Sequence, residues 1–98
     1  MIEFHRLDMA IVDGKKCAVL NQASGWMFYN LWSRRGEWVG IGELLTNKAG
    51  DVVPSEDPNN LVQAHIFKIR QALRNAKIDL VIENQHQSFW AESKYRLL

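Results

Sequence analysis

A stripe of apolar residues marks the most regular helix of the sequence. Val62, Ile66, Ile69 and Leu73 follow one another at spacings of four, three and four residues, which places them on one helix face. Asp57 suits the N-cap of this helix, and a proline in its first turn costs no hydrogen bond. The pattern predicts a helix over residues 58–76, the third of the chain, with its apolar face in the core.

Residues 1–20 have the partly alternating pattern of strands. Apolar residues recur from Phe4 to Val12, Asp13-Gly14 is a strong hairpin turn, and an extended run resumes at residues 17–20. We therefore predict a small N-terminal antiparallel sheet.

Two more helices are predicted between this sheet and the third helix. Apolar residues recur every three or four positions in residues 21–35, where Asn21 suits the N-cap. Residues 40–48 have enough periodicity for about two helical turns. Residues 49–57 are rich in Gly, Pro, Ser and acidic side chains, a composition typical of a loop.

The chain ends in a predicted hairpin over residues 78–98. Residues 78–83 alternate as a strand, residues 84–88 are a polar tip, and residues 89–98 return as a second strand. The order of sheet, helices and hairpin predicts an α+β domain.

Length and composition favour one small domain over residues 1–98. The 98 residues have room for one core, and no apolar run is long enough to span a membrane. The single cysteine, Cys17, cannot form an internal disulfide, and we expect it to be a small buried side chain rather than a nucleophile. We also see no basic-then-apolar signal segment after Met1, so a cytoplasmic setting is expected.

The net charge of +1 conceals a basic element. The 12 Lys+Arg nearly balance the 11 Asp+Glu, a balance that argues against a nucleic-acid binder. Between Leu61 and Ile78, however, there is no acidic residue, and four basic residues occur, namely Lys68, Arg70, Arg74 and Lys77. The neutral total therefore does not exclude DNA.

The order of the elements and several short motifs resemble one family. The motifs are Leu7-Asp8, Asp13-Gly14-Lys15, Leu20-Asn21, Gly36-Glu37-Trp38-Val39, Glu43-Leu44-Leu45, Asn60 through Arg70, and Tyr95-Arg96-Leu97. Together they resemble the winged helix-turn-helix DNA-binding domain of OmpR/PhoB-type response regulators. The resemblance extends over nearly the whole chain, without the receiver domain of a complete regulator.

The resemblance implies a sequence-specific regulator of transcription that binds double-stranded DNA. The third helix would enter the major groove, the hairpin wing would lie near the minor groove, and loop 48–57 would contact RNA polymerase. A homodimer on repeated half-sites is a further expectation for such a DNA binder. No membrane partner and no cofactor are implied.

Residue roles follow from the same resemblance. Ala64 and Lys68 would read base edges, and Leu61 would touch a thymine methyl, while Asn60, His65 and Arg70 would contact phosphates. The remaining DNA-binding candidates are Phe67, Gln71 and Arg74 on the helix, and His86, Gln87 and Lys94 on the wing. Simpler interpretations stay open: the basic residues would form a solvated helix face, and His65 a partly buried polar side chain.

The sequence also supports a second hypothesis, a winged helix that binds protein as an adaptor or antagonist. The family has polar or basic residues at the position of Phe67, and its wing turns through glycines that are absent before Tyr95. Trp26 and Tyr29 fall on the side of the first helix away from its apolar stripe, and Trp90 on the charged face of the last strand. Exposed aromatic residues are enriched at protein interfaces.

An enzyme is not expected. Cys17 and the three histidines, His5, His65 and His86, are scattered over separate elements, and no phosphate-binding glycine-rich loop occurs. We therefore predict neither a catalytic residue nor a metal ligand.

Overall fold

Two tight turns fold the N-terminal residues into an antiparallel sheet. A computed structural model describes residues 1–46, 50–51, 54–85 and 93–98, and its first sheet has the order β1 (Ile2–His5), β2 (Ala10–Asp13), β3 (Lys16–Val19). Gly14, in the turn between β2 and β3, has φ +61°, a backbone conformation that glycine adopts without strain. The predicted N-terminal sheet is confirmed.

The first helix, α1 (Gln22–Ser33), begins where its cap predicts. The Ser24 backbone N–H donates to Asn21 Oδ1 at 2.8 Å, which satisfies one of the free donors of the first turn. The helix ends at Arg34, close to the predicted boundary, and Arg34 forms an ion pair with Glu43 at 2.8 Å.

The second helix is shorter than the prediction over residues 40–48. After the two-residue strand β4 (Val39–Gly40), α2 (Ile41–Leu44) makes a single turn. The Asn30 side-chain amide donates to the carbonyls of Glu43 (2.9 Å), Leu44 (3.4 Å) and Thr46 (3.2 Å). Asn30 of α1 thus satisfies the carbonyls at the end of α2, at the point where the local periodicity predicts that the helix continues. The last predicted residues, 47–48, lie outside the described ones.

The third helix, α3 (Pro58–Ala76), has the predicted bounds. The Asn60 N–H donates to Asp57 Oδ1 at 3.1 Å, and Lys77 ends the helix in the left-handed conformation with φ +58°. The Ile78 N–H then donates to the Leu73 carbonyl at 3.0 Å. Of loop 49–57, the described residues 50–51 and 54–57 are in neither helix nor strand.

The prediction of a strand from residue 78 is wrong at its start. The turn that closes α3 holds Ile78 in the core, and the Leu80 N–H donates to the Ile78 carbonyl at 3.1 Å. The extended run therefore begins only at β5 (Ile82–Gln85).

A second sheet has the order β4-β6-β5, in which β6 (Lys94–Leu97) lies between the other two strands. The antiparallel pairing of β5 with β6 confirms the predicted hairpin, whose residues 86–92 lie outside the described ones. Tyr95 and Leu97, which alternate along β6 with Lys94 and Arg96, are buried. The third strand, β4, was not predicted, because two extended residues have no periodicity.

One core joins the helices to both sheets. The predicted stripe of α3 is buried together with Phe28 and Leu31 of α1 and the inner residues of β6. Cys17 is exposed, which corrects its predicted burial, because the alternation of β3 turns Ala18 inward and Cys17 outward. The fold is α+β, as predicted.

Candidate nucleic-acid interface

The side of α3 away from the core forms an exposed surface that is polar except for Ala64 and Phe67. The helix packs against α1, α2 and β3 through its apolar stripe, and at 1.5 Å per residue it is about 28 Å long. We call the exposed side the α3 face, and its exposed members are Asn60, Gln63, Ala64, Phe67, Lys68, Gln71, Arg74 and Asn75. Its length and its uninterrupted helical backbone are those of a helix that fits a DNA major groove.

The α3 face carries positive charge without counter-charge. Residues 58–77 contain no Asp or Glu. Lys68 and Arg74 are exposed, and neither makes an ion pair with any part of the chain that the structure describes. Their charges are therefore available to an anionic partner.

His65 lies on one flank of the α3 face and binds the core. Its Nδ1 shares a hydrogen bond of 2.8 Å with Oγ of Ser24, a side chain that is only 1% exposed. Burial lowers the pKa of His65, and the positive charge of Lys68 lowers it further. His65 is thus half-buried and hydrogen-bonded to Ser24, which agrees with the interpretation of a partly buried polar side chain. The phosphate contact stays a prediction.

Arg70 lies on the other flank and ties α3 to the second sheet. Its guanidinium donates to the Ile82 carbonyl at the start of β5. Tyr95 lies beside it, and burial raises the pKa of that phenol. A phosphate contact by Arg70 remains a prediction, but the side chain is half-buried and already has a structural partner.

A groove separates α3 from the second sheet. It has a volume of about 450 Å³ and is lined by Gln63, Ile66, Phe67, Arg70, Asn84 and Tyr95. Phe67 forms its outer wall, and the buried Ile66 and Tyr95 its floor. The groove places the α3 face next to the hairpin.

The exposed cation of the hairpin, Lys94, lies on the sheet face away from this groove, because side chains alternate along β6 and Tyr95 lines the groove. Lys94 is exposed and pairs with Gln85 across the two strands. Arg96, by contrast, binds Glu83 and lies over the Trp38 ring, 4.4 Å from its centroid, so its charge is used within the sheet. The other predicted wing residues, His86 and Gln87, lie outside the described ones, as does Trp90.

Leu61 and the aromatic pair of α1 are less open than predicted. Leu61 and Trp26 are half-buried and pack against the core, and Tyr29 is half-buried against Trp26, with ring centroids 5.4 Å apart. The Arg6 guanidinium lies 5.3 Å from the Tyr29 ring centroid and covers part of it. The aromatic pair that was predicted to be exposed is therefore half-buried, because residues of the turn between β1 and β2, such as Arg6, lie against it.

A second groove opens beside these aromatics. It has a volume of about 560 Å³, and Arg6, Leu7, Trp26, Tyr29 and Asn30 contribute to its lining. Leu7 is 94% exposed at its edge. Together with the half-buried Trp26 and Tyr29, Leu7 forms a group of apolar side chains at a concave surface, and such groups mark protein contacts.

Sequence reasoning missed the partners of both flanking residues. Ser24 and His65 are 41 positions apart, and Arg70 and Ile82 are 12 apart, so no local spacing signals either contact. The Ser24 hydroxyl is buried and stabilises the packing of α3 on α1. It does not face solvent, so it is not open to a substrate.

The sequence matches no family model and no curated protein closely enough to count. Within the described ranges, no three His, Cys, Asp or Glu side chains are grouped to hold a metal ion. Among the described helices, none combines the length and hydropathy that a bilayer crossing requires. The functional argument therefore rests on the chain's own residues.

Proposed function

We propose that this chain is a winged-helix domain that binds double-stranded DNA sequence-specifically and regulates transcription. The observation that carries the proposal is the α3 face, a helix surface without acidic residues whose exposed Lys68 and Arg74 make no ion pair with the described residues. A helix of this size fits the major groove, and basic residues on it neutralise phosphates.

The neighbouring elements support the same proposal. The β5–β6 hairpin lies across a groove from the α3 face, and Asn84 and Tyr95 line its side of that groove. A hairpin beside a recognition helix is the arrangement that contacts the backbone of the adjacent minor groove. Arg70 then holds the hairpin against the helix through the Ile82 carbonyl.

The small net charge shapes the expected binding. With a net charge of +1, long-range attraction to DNA is weak, so affinity depends on the few cations of the α3 face and on base contacts. We expect a large difference between specific and random duplexes and low affinity for the latter.

Salt dependence tests the proposal directly. Binding of the 98-residue chain to duplexes selected from a random pool is measured by fluorescence anisotropy between about 50 and 200 mM salt. Arg74→Ala should weaken all duplexes and reduce the salt slope by about one, whereas Lys68→Ala should cost about 1–3 kcal/mol on the selected site and relax its sequence preference.

The matched control is Lys15→Ala, which removes an exposed lysine from the turn between β2 and β3. It should leave both affinity and slope unchanged. Equal losses for Lys15→Ala and Arg74→Ala would mean that total charge, not the α3 face, governs binding. No binding to any duplex at low salt would refute the proposed function.

The second groove favours a second candidate function, binding of protein through the face formed by the β1–β2 turn and α1. Its supporting observation is the exposed Leu7 beside Trp26 and Tyr29. Sedimentation of the chain alone and with purified bacterial RNA polymerase tests this candidate. A complex that Leu7→Asp abolishes and Phe67→Asp does not would assign the contact to this groove, and a monomer in both cases would reject it.

A further inference from the structure

Phe67 lies on the α3 face without a role in the core. It is 63% exposed, although the helix already has its apolar stripe of Val62, Ile66, Ile69 and Leu73 on the opposite side. A phenyl ring that stays in water gains none of the free energy that its burial would provide. A polar residue at this position would have no such free energy to lose. Phe67 therefore offers an apolar group to a partner that binds the α3 face.

The surroundings of Phe67 are polar, which argues against an extended protein contact. On α3 its exposed neighbours are Gln63, Lys68 and Gln71, and no other large apolar side chain of this helix is exposed. A single apolar side chain in a polar surface is too small for the core of a protein interface, which needs a contiguous apolar patch. A ligand with isolated apolar groups among polar ones fits better.

The residues around Phe67 match the edges of A·T base pairs. Ala64 and Gln71 lie one turn before and one turn after it, and Asn60 lies one turn before Ala64. Asn and Gln pair with N6 and N7 of adenine, and small apolar or phenyl groups contact the C5 methyl of thymine. Lys68, the residue best suited to guanine, follows Phe67 by 100° around the helix, so the two residues flank the line of Ala64 and Gln71 on opposite sides.

We propose that Phe67 contacts thymine methyl groups in the major groove and, with Asn60 and Gln71, makes the recognised DNA rich in A·T pairs at the centre of its site. This assignment rests on the proposed DNA-binding function and names the bases that the same face selects. The thymine methyl is the one apolar group that the major-groove edge of a base pair presents.

Replacing thymine by deoxyuridine tests the contact, because it removes the methyl group and keeps the hydrogen-bonding edge. The 98-residue chain is used to select duplexes from a random pool, and each thymine of the selected site is then replaced in turn. Selected sites should be A·T-rich at the centre. At one or two positions, deoxyuridine should weaken wild-type binding about fourfold, the factor expected for burial of one methyl-sized group.

Two variants connect this methyl effect to Phe67. Phe67→Ala should bind thymine and deoxyuridine duplexes equally, and Phe67→Leu should retain part of the difference. Val19→Ala, which trims an exposed apolar residue of β3, is the matched control and should behave as wild type. Thermal unfolding of each variant checks that the fold is intact, as expected for an exposed position.

The outcomes separate the two proposals. Tight, salt-dependent binding with no deoxyuridine effect, with an effect that persists in Phe67→Ala, or with G·C-rich selected centres would overturn the Phe67 assignment and leave DNA binding standing. Failure to bind any duplex would overturn the proposed function and this assignment with it.

Discussion

The substitution Gly25→Ala tests how closely α1 and the N-terminal sheet are packed. Gly25 is buried in the first half of α1, where a Cβ atom would lie 2.4 Å from Sδ, 2.7 Å from Cγ and 3.0 Å from Cβ of Met9. Ordinary contacts between such atoms are about 3.5–4.0 Å. The added methyl group therefore overlaps a side chain that is itself buried in the core.

Met9 has little freedom to move away. Its backbone has φ +51°, and its carbonyl accepts the Leu20 N–H at 2.8 Å. The side-chain end of Met9 is flexible, but its Cβ is held by this backbone. The overlap must be relieved by displacing the chain between β1 and β2 or by tilting α1.

The expected net effect is a loss of stability. Alanine is favoured over glycine inside a helix by about 0.5–1 kcal/mol, whereas overpacking a core costs about 1–3 kcal/mol. We expect Gly25→Ala to lower the free energy of unfolding by about 1–2 kcal/mol. For a domain of this size, that corresponds to a fall in Tm of about 5–10 °C.

Urea unfolding followed by tryptophan fluorescence measures the effect. Gly42→Ala is the matched control, since Gly42 is in α2 and a Cβ there would meet nothing within 4 Å. That variant should be neutral or slightly stabilised. Met9→Ala alone should cost about 2–5 kcal/mol, and combined with Gly25→Ala it should cost less than the sum by about 1 kcal/mol. Stabilisation by Gly25→Ala, or strict additivity with Met9→Ala, would refute the reasoning.

The two residues that flank the α3 face provide further tests. Arg70→Ala should lower the free energy of unfolding by about 1.5–3 kcal/mol in urea, since it leaves a carbonyl of β5 without its charged donor; unchanged stability with weaker DNA binding would instead assign Arg70 to phosphate. Because the folded-state pKa of His65 lies below its unfolded value, its contribution to stability is complete above about pH 6.5 and is lost as the pH falls below that value. Stability measured between about pH 5.5 and pH 7.5 should therefore decline toward acid in the wild type and less in His65→Gln, and identical slopes would contradict this role.

Local signals determined the helix bounds because they act over a few residues. Asn21 and Asp57 cap their helices in the structure as the sequence predicts, and the apolar stripe of α3 is buried as its spacing requires. The basic, acid-free composition of the α3 face is likewise a property of consecutive residues. These features need no knowledge of the rest of the chain.

Where the prediction and the structure differ, contacts outside the local periodicity decide the outcome. Asn30 binds the carbonyls at the end of α2, and the turn after Lys77 delays β5 by four residues relative to the alternation that begins at Ile78. Gly25, which costs helix propensity locally, is required by the approach of Met9. In each case tertiary packing outweighs a local preference of about 1 kcal/mol or less.

The sequence by itself determined the order of elements, the core face of α3 and its basic composition, because periodicity, caps and charge are read from neighbouring positions. Only the tertiary structure decided which polar side chains are engaged: His65 with Ser24 and Arg70 with Ile82 are held inside the fold, while Lys68 and Arg74 remain open. Such pairings join residues far apart in the chain, and their energy depends on geometry and burial that only the folded packing creates.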